Sequence, residues 1–367
     1  MLWLCLALIV SALLAACGGA PAAPTAPTAA PAAPTAAPAA PTAAPAAPTA
    51  APAAAEPTAA PAAGKLKVFA AYATPLEEPW DGVIHKALLA EKDAGTIDYK
   101  WQDNIGYSGD MEKVLRQEAE QNSPDVIFGD AFGNEDAVAA VAKDFPKIAF
   151  VFGSGGGPVD PNLSVFDNWI HEPAYLSGLI AGKLTKSNTI GVVAAMPIPE
   201  VNRLVNAFTQ GAAEANPKAN VRVSFINSFF DPAAAKEAAL AQVSAGADVL
   251  FAERFGVIEA AKEKGLPAFG NMSDQNSLAP DTVVTGPVWD MRPTVEYVIK
   301  QVKAGTYTAQ DLKDFSMLSK GGASLAPFHA WEQKLPKDVL DLISKKTDEI
   351  KSGKFRVDIN EGDPTKK

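Results

Sequence analysis

The sequence contains little cysteine and histidine, which limits the metal sites and the catalytic nucleophiles that it can form. Two of its 367 residues are cysteines, Cys5 and Cys17, and three are histidines, His85, His171 and His329. The histidines are scattered and have no partner at a metal-ligand spacing. Neither a Gly-x-Ser-x-Gly elbow nor a Cys–His arrangement offers a nucleophile for catalysis. We therefore expect a protein that is not an enzyme and that binds no metal or other cofactor.

Basic residues are missing from the first 64 positions, and the chain as a whole is acidic. Its formal net charge is −10, and Glu56 is the only charged side chain before Lys65. An acidic surface disfavours nucleic acid as a partner, because neutralising phosphates requires clustered Lys and Arg. We expect no nucleic-acid partner.

A short apolar run opens the chain. Residues 1–16 read MLWLCLALIVSALLAA, which is too short to predict a membrane span and is typical of a signal peptide. The junction Leu14-Ala15-Ala16-Cys17 resembles the lipobox of bacterial lipoprotein precursors. This resemblance implies that residues 1–16 are removed and that Cys17 carries lipid, although no Lys or Arg precedes the run. The alternative, a buried apolar helix, is disfavoured because the segment that follows separates the run from any core.

That following segment, residues 17–64, is rich in Ala, Pro and Thr and repeats Ala-Pro-Ala-Ala-Pro-Thr-Ala. It has no apolar face large enough to fold, and proline at this density favours extended polyproline II. We interpret it as a semi-rigid tether that reaches on the order of 100 Å, at ~3.1 Å per residue. We expect this tether to hold a folded domain away from a membrane surface; the alternative, a disordered glycosylated stalk, has the same mechanical role.

From Lys65 onward, apolar strands alternate with amphipathic helices, which predicts parallel sheets with helices on both faces. The pattern starts afresh at Ile190, so the sequence predicts two α/β lobes of similar size. The segment Val283–Val288 is predicted as one strand, and Lys354–Val357 as a short strand or a tail. The predicted boundaries are lobe 1 over 65–170, lobe 2 over 171–286, a return to lobe 1 over 287–318, and a C-terminal segment, 319–367, without an assigned position.

A pair of aromatic residues marks the end of one predicted strand of lobe 2. Val221–Ile226 alternates as a strand, and Asp231 with Pro232 is typical of a helix start. Phe229 and Phe230 therefore lie just beyond the carboxyl end of a strand, where ligands sit in open α/β sheets. At least one of the two is expected to face the cleft.

Several stretches together resemble the basic membrane protein (BMP) family of lipoprotein substrate-binding proteins, which serve ABC importers. The resemblance covers Lys65 to about Val357 and depends on five stretches in combination. They are Ala73-Thr-Pro-Leu-Glu-Glu-Pro-Trp80, Pro197–Ala212, Asn227-Ser-Phe-Phe-Asp-Pro232, Ala268-Phe-Gly-Asn-Met-Ser-Asp274 and Lys351-Ser-Gly-Lys-Phe355. The family implies a type I periplasmic-binding-protein fold, with two doubly wound parallel-sheet lobes, three crossovers and a ligand cleft between the lobes. It also implies a purine base, a nucleoside or, in some relatives, riboflavin as ligand.

The resemblance implies roles for three residues. Phe229 matches the aromatic residue that stacks on the ligand ring, Trp80 matches one that covers the other face, and Asp274 matches a carboxylate that accepts ligand hydrogen bonds. Each has an alternative: core packing with Phe230 in the site for Phe229, a surface cap for Trp80, and a loop or helix cap for Asp274. Stacking on a flat ring tolerates many heterocycles, so selectivity must come from groups at the ring edge.

Further candidates follow from position in the predicted sheets. Amides suited to a purine edge are found at Asn104, Asn271 and Gln275. Asp130 and Phe132 follow the Asp125–Phe128 strand, with a simple turn as the alternative, and Trp289 follows Val283–Val288 at the cleft or hinge. The Gly-rich loop of family nucleoside binders is here Glu253-Arg254-Phe255-Gly256, whose charges favour a free base over a nucleoside. Arg254 is a ligand contact or, alternatively, an interlobe salt bridge.

The sequence thus predicts an extracytoplasmic, lipid-anchored, monomeric receptor in the cell envelope that captures a purine-like heterocycle by lobe closure. Its expected partners are an ABC permease, an ATPase and the membrane through the lipid anchor. Three alternatives stay open at this point. The first is a binding protein for another ligand, such as riboflavin, a sugar-like signal or an amino acid. The second is a sensor ectodomain without transport, and the third is an extracytoplasmic hydrolase. The hydrolase lacks a recognisable nucleophile or metal, and a neighbouring pair of permease and ATPase genes would distinguish the importer from the sensor.

Overall fold

The computed structural model describes residues 64–366. The predicted signal peptide, the predicted lipidation site Cys17 and almost the whole predicted tether therefore lie outside the described residues. Within 64–366, no helix combines the length and the apolar character needed to cross a lipid bilayer.

The first sheet consists of five parallel strands that alternate their side chains between two cores. Leu66 and Val68 face one core, whereas Phe69 and Ala71 face the other, as the two-residue period of a strand requires. The strand order is β2-β1-β3-β4-β5. The strands are β1 (Leu66–Ala71), β2 (Ile97–Gln102), β3 (Val126–Asp130), β4 (Ala149–Gly153) and β5 (Leu163–Phe166).

The second sheet repeats this topology. Its order, β10-β9-β8-β6-β7, is the same arrangement counted from β6, and all of its pairs are parallel. In such a sheet the first and third strands diverge at a topological switch point, and ligands bind beyond their carboxyl ends. The strands are β6 (Thr189–Ala194), β7 (Asn220–Phe225), β8 (Val249–Ala252), β9 (Ala268–Phe269) and β10 (Val283–Thr285).

Helices cover both faces of each sheet. On lobe 1, α2 and α3 bury Met111 and Val138 against one face, while α1 and α8 pack on the other. On lobe 2, α6 and α7 cover one face, and α4 and α5 cover the other. The helices are α1 (Pro79–Asp93), α2 (Asp110–Asn122), α3 (Glu135–Asp144), α4 (His171–Leu184), α5 (Pro199–Ala215), α6 (Pro232–Ser244), α7 (Val257–Lys264), α8 (Arg292–Lys303) and α9 (Lys337–Lys351).

The prediction of Val283–Val288 as one strand is wrong, because the chain changes sheet within it. Val283–Thr285 pairs with β9, whereas Pro287–Trp289 forms β11, which pairs antiparallel with β12 (Ala323–Leu325). Proline cannot donate to a ladder, so Pro287 starts an edge strand and does not continue a central one. Lys354–Val357 forms no strand and runs on from α9 as a tail, the second form predicted for it.

The segment after β11 contacts lobe 1 again. The Leu312 N–H donates to the Val165 carbonyl at 2.7 Å, and Lys303 Nζ donates to the Thr96 carbonyl at 3.3 Å. The last helix lies against lobe 2, where Lys346 Nζ is 3.0 Å from a Glu214 carboxylate oxygen. These contacts favour assigning residues 303–312 to lobe 1, while the boundaries between the lobes stay predictions.

Helices α4 and α5 approach each other closely because glycines face each other across their contact. A Cβ atom added to Gly178 would lie 2.0 Å from the Phe208 carbonyl oxygen, and one added to Gly211 would lie 2.1 Å from the Tyr175 carbonyl oxygen. No real Cβ atom fits at such distances, so the helix spacing depends on these two glycines.

We expect Gly211→Ala to destabilise the protein by about 1–3 kcal/mol, because the added methyl group forces the two helices apart. This loss exceeds the helix-propensity gain of about 1 kcal/mol that alanine brings. Urea unfolding of both proteins measures the difference. Gly156→Ala is the control, because nothing lies within 4 Å of a Cβ atom at Gly156. Equal midpoints for Gly211→Ala and the wild type would show that the helices are not in close contact.

Candidate functional site

A narrow pocket lies between the lobes, at the switch points of both sheets. Its empty space, open solvent included, is about 330 Å³. Lobe 1 supplies residues at or after the ends of β1, β2, β3 and β4, and lobe 2 supplies residues after β6, β7 and β8. The lining residues are Thr74, Glu78, Trp80, Tyr107, Asp130, Phe132, Ser154, Glu200, Phe229 and Arg254.

Trp80 forms part of the lobe 1 wall. Its backbone N–H donates to the Glu78 carboxylate at 2.8 Å, which caps α1. Its ring stacks on Phe166 at 5.6 Å between centres and lies over Gly153, where a Cβ atom would come within 1.8 Å of it. With 7% of its surface exposed, Trp80 is not the surface cap that the sequence left as an alternative. Phe166 already covers one face of the indole, so a ligand can contact only the remaining surface of a ring that is held in place.

Phe229 forms the opposite wall. Its ring meets Phe132 of lobe 1 edge to face, with centres 5.0 Å apart. Its neighbour Phe230 is 40% exposed and packs against Phe255, away from the pocket lining. Of the two phenylalanines at this strand end, the structure thus places Phe229 at the pocket, as the sequence predicted.

Arg254 makes the interlobe salt bridge that the sequence analysis gave as its alternative role. Its Nη1 lies 3.2 Å from Glu78 Oε1 in lobe 1, and its Nη2 lies 2.7 Å from Glu253 Oε1 in its own lobe. Nη1 also donates to the Phe229 carbonyl at 2.8 Å. The guanidinium borders the pocket, but these partners already engage both of its terminal nitrogens.

Asp274 is not among the pocket-lining residues, so the geometry does not support its predicted contact with the ligand. One carboxylate oxygen accepts the N–H of Asn276 at 3.0 Å, and the other pairs with His329 Nε2 at 2.8 Å. This corresponds to the loop-cap alternative. The pair connects the loop after β9 to the C-terminal segment.

The predicted amides and Trp289 lie behind the lining or away from it. Gln275 Oε1 accepts the N–H of Asn271 at 3.1 Å, which fixes the loop after β9. Trp289 packs against Trp80 at 5.1 Å between centres, and its indole N–H donates to Ser316 at 2.8 Å. These residues support the wall and are not part of the lining, and Asn104 is not part of it either.

A family model for ABC transporter substrate-binding proteins, described as PnrA-like and named Bmp, matches residues 73–353. The chain belongs to the Bmp family. The resemblance stated from the sequence is thereby confirmed. The family model describes its members as substrate-binding proteins of ABC transporters.

Relatives agree with this assignment. A purine-binding protein of Brucella abortus is 32% identical over 272 residues, which cover 73% of this chain and 75% of the relative. A protein of Haloferax volcanii named as an ABC transporter glucose-binding protein is 36% identical over 202 residues, 54% of this chain and about half (51%) of that protein. The solved structure of an ABC transporter solute-binding protein of Conexibacter woesei matches with a TM-score of 0.66 at 22% identity, covering 80% of this chain and 99% of that chain. This likeness confirms the predicted two-lobed α/β fold.

The Bmp pocket of this chain is rich in carboxyl groups. Glu78, Asp130 and Glu200 line it, and Asp81 is buried directly behind it, with one oxygen accepting from Thr74 Oγ1 at 2.6 Å. Burial and the nearby Glu78 raise the pKa of Asp81 to about 8. Burial and the nearby Asp167 raise the pKa of Glu200 to about 8.

The other two carboxyl groups shift in the same direction. Burial, and next the charge of Asp81, raise the pKa of Asp130 well above its ordinary value. Burial also raises the pKa of Glu78, although Arg254 acts against it. Asp81 and Glu200 therefore retain protons near neutral pH, so that a carboxyl group can donate as well as accept a hydrogen bond there.

Glu78, Glu200, Tyr107 and the two small residues Thr74 and Ser154 were missed by the sequence analysis. Glu78 and Glu200 both stand at the start of a helix that follows the first strand of a lobe, next to Pro79 and Pro199. The same signal, a helix start after a strand, identified Phe229 and could have identified the two glutamates as well.

The raised pKa of Asp81 leads to a prediction about pH. Between about pH 5 and 8 the folded protein binds a proton that the unfolded chain has released, so the free energy of unfolding falls as the pH rises. One such group contributes a slope of at most ~1.4 kcal/mol per pH unit. We expect Asp81→Asn to reduce this slope and to stabilise the protein at pH 8, as measured by urea unfolding at pH 5.5, 7 and 8.5.

The control is Asp93→Asn, which alters an exposed carboxylate at the other end of the same helix. It should leave the slope at its wild-type value. If the Asp81→Asn and wild-type slopes were the same, Asp81 would be ionised in the folded protein and the prediction would be wrong.

Proposed function

We propose that this Bmp protein captures a purine base or nucleoside between its lobes and delivers it to an ABC permease and ATPase for import. The observation that carries the proposal is the placement of one aromatic residue from each lobe on the pocket lining, Trp80 after β1 and Phe229 after β7. Flat rings desolvate well against such side chains. The Brucella abortus relative named as a purine-binding protein supports the same ligand class.

Recognition of the ring edge falls to the carboxyl groups. In a purine, N–H groups alternate with ring nitrogens that accept hydrogen bonds. A carboxyl group that retains its proton offers one donor and one acceptor, which matches such an edge. Asp130 and Glu200 approach the pocket from opposite lobes, so a ligand held by both would stabilise the closed arrangement over the open one.

A sugar is the second candidate ligand. The Haloferax volcanii relative is named as a glucose-binding protein, and carboxyl groups such as those of Asp130 and Glu200 can accept hydrogen bonds from hydroxyl groups. Stacking on Trp80 and Phe229 gives less to a sugar than to a planar heterocycle, which favours the purine. Riboflavin shares the flat ring and belongs in the same test.

The test is a thermal-shift screen with adenine, guanine, hypoxanthine, their nucleosides, riboflavin and glucose, followed by calorimetry on the best ligand. A ligand at 100 times its Kd stabilises the protein by about 2.7 kcal/mol, which raises Tm measurably. We expect a purine to give the largest shift. Phe229→Ala should weaken its binding about 10- to 100-fold, because one stacking contact contributes ~1–3 kcal/mol.

Phe230→Ala is the matched control, because it removes the same side chain from the adjacent, exposed position. It should leave the affinity unchanged. A shift with glucose alone would replace the purine proposal with the sugar, and equal affinity of Phe229→Ala and the wild type would remove the stacking role.

Location at the membrane is a second part of the proposal. Residues 14–17 resemble a lipobox, so Cys17 would carry lipid and hold a monomeric, extracytoplasmic receptor beside its permease. A sensor ectodomain without transport would share this anchor and is distinguished by the lack of uptake of the labelled ligand.

When cells that express the chain are grown with a radioactive fatty acid, we expect the wild-type protein to become labelled and Cys17→Ala to stay unlabelled. The variant should leave the membrane fraction, because its only proposed anchor is gone. Cys5→Ala is the control, because it alters the other cysteine of the chain, which lies in the predicted signal peptide. This variant should incorporate the label as the wild type does. Labelling of Cys17→Ala would contradict the anchor.

A further inference from the structure

A buried ion pair connects the lobes at the pocket. Arg254 Nη1 of lobe 2 lies 3.2 Å from Glu78 Oε1 of lobe 1, and the two side chains are 4% and 3% exposed. The guanidinium also keeps a partner within its own lobe, Glu253, through Nη2 at 2.7 Å and Nε at 3.0 Å. Glu253 is therefore sufficient to neutralise the charge of Arg254, and Glu78 adds a second ionic contact across the cleft.

Each partner of the pair also holds the backbone of a pocket aromatic residue. The second oxygen of Glu78 accepts the N–H of Trp80 at 2.8 Å and that of Asp81 at 3.3 Å. Arg254 donates to the carbonyl of Phe229 at 2.8 Å, and its guanidinium carbon lies 5.9 Å from the centre of that ring. One chain of contacts thus runs from the Trp80 backbone through the ion pair to the Phe229 backbone.

Other contacts across the cleft do not have this property. Ser154 Oγ donates to Glu200 at 3.4 Å, and Phe132 meets the Phe229 ring edge to face. Neither contact reaches the backbone of both aromatic segments. A buried ion pair adds little net stability, but removing one partner is costly. The pair also forms in only a few relative positions of the two lobes. The pair is thus suited to select one closed arrangement.

We infer that Glu78 and Arg254 are positioning residues whose interlobe ion pair fixes the distance between Trp80 and Phe229 in the closed protein. The pair sets how long a bound ligand stays. The effect on the ligand rests on the proposed function, whereas the effect on closure does not. Without the pair, the cleft opens more often and the ligand dissociates faster.

Glu78→Gln is the cleanest test. The glutamine side-chain oxygen can still accept the N–H of Trp80, and Arg254 keeps Glu253, so no buried charge is left alone. Arg254→Lys is the second variant, because a single ammonium cannot serve Glu78, Glu253 and the Phe229 carbonyl as the guanidinium fork does. Arg116→Gln is the matched control, since Arg116 binds two carboxylates within lobe 1, Glu112 and Asp144.

Hydrogen exchange of the full-length, ligand-free protein measures closure directly. We expect Glu78→Gln to speed exchange about tenfold in residues 74–81 and 227–231, which carry Trp80 and Phe229, and to leave β6 unchanged. Arg116→Gln should leave both cleft segments unchanged. Faster exchange throughout Glu78→Gln, β6 included, would show a merely structural role, and unchanged exchange at the cleft would show no role. Either result overturns the inference.

Ligand dissociation adds a second readout, measured by stopped flow with the best purine of the screen. Glu78→Gln and Arg254→Lys should each speed dissociation about tenfold, and the double variant should be no more than about tenfold faster, because both remove the same contact. Rates that multiply to about a hundredfold would contradict coupling between the two residues. If no compound of the screen binds, the proposed function fails, and the exchange experiment still decides on the ion pair.

Discussion

The site depends on one topological constraint, the divergence of neighbouring strands at the switch point of each parallel sheet. In both lobes the first strand lies between the second and the third, so the connections from the first and third leave in opposite directions. The gap that opens there cannot be filled by a crossover helix. Trp80 and Asp130 border the gap in lobe 1, and Glu200 and Arg254 border it in lobe 2. Two gaps that face each other make a pocket, whatever side chains line them.

The chain lines this pocket with acids, which has an electrostatic consequence. Asp81, Asp130 and Glu200 stand where burial disfavours the charged carboxylate, and the charges of Asp81 and Glu200 both raise the cost of ionising Asp130. Asp81 and Glu200 meet this cost by retaining protons, although the charges of Arg203 and Arg254 partly offset the shift of Glu200. A pocket of this kind suits a ligand whose edge offers both hydrogen-bond donors and acceptors.

Local sequence patterns sufficed for those parts of the site that one strand and one helix determine. The alternation of Val221–Ile226 and the Asp231–Pro232 helix start located Phe229, because the position of a strand end relative to the following helix is a short-range matter. The fold class followed from the repeat of such units. The single strand predicted over Val283–Val288 failed because its second half pairs with β12, which lies over 30 residues later. No local pattern encodes that partner.

Asp274 shows why contacts across the cleft were harder to predict than the elements that carry them. Its position after β9 was foreseen, but its partner His329 comes from a segment 55 residues away to which the sequence assigned no position. Arg254 and Glu78 are separated by 176 residues and meet only because both lobes place a helix start or loop at the same edge. Charge alone indicated that Arg254 needed a partner, because a buried guanidinium is costly without one. It could not indicate which of the many acids of a chain with net charge −10 that partner is. That choice is made by the packing of two domains, and it joins the backbones of Trp80 and Phe229 through a contact that exists only when the lobes meet.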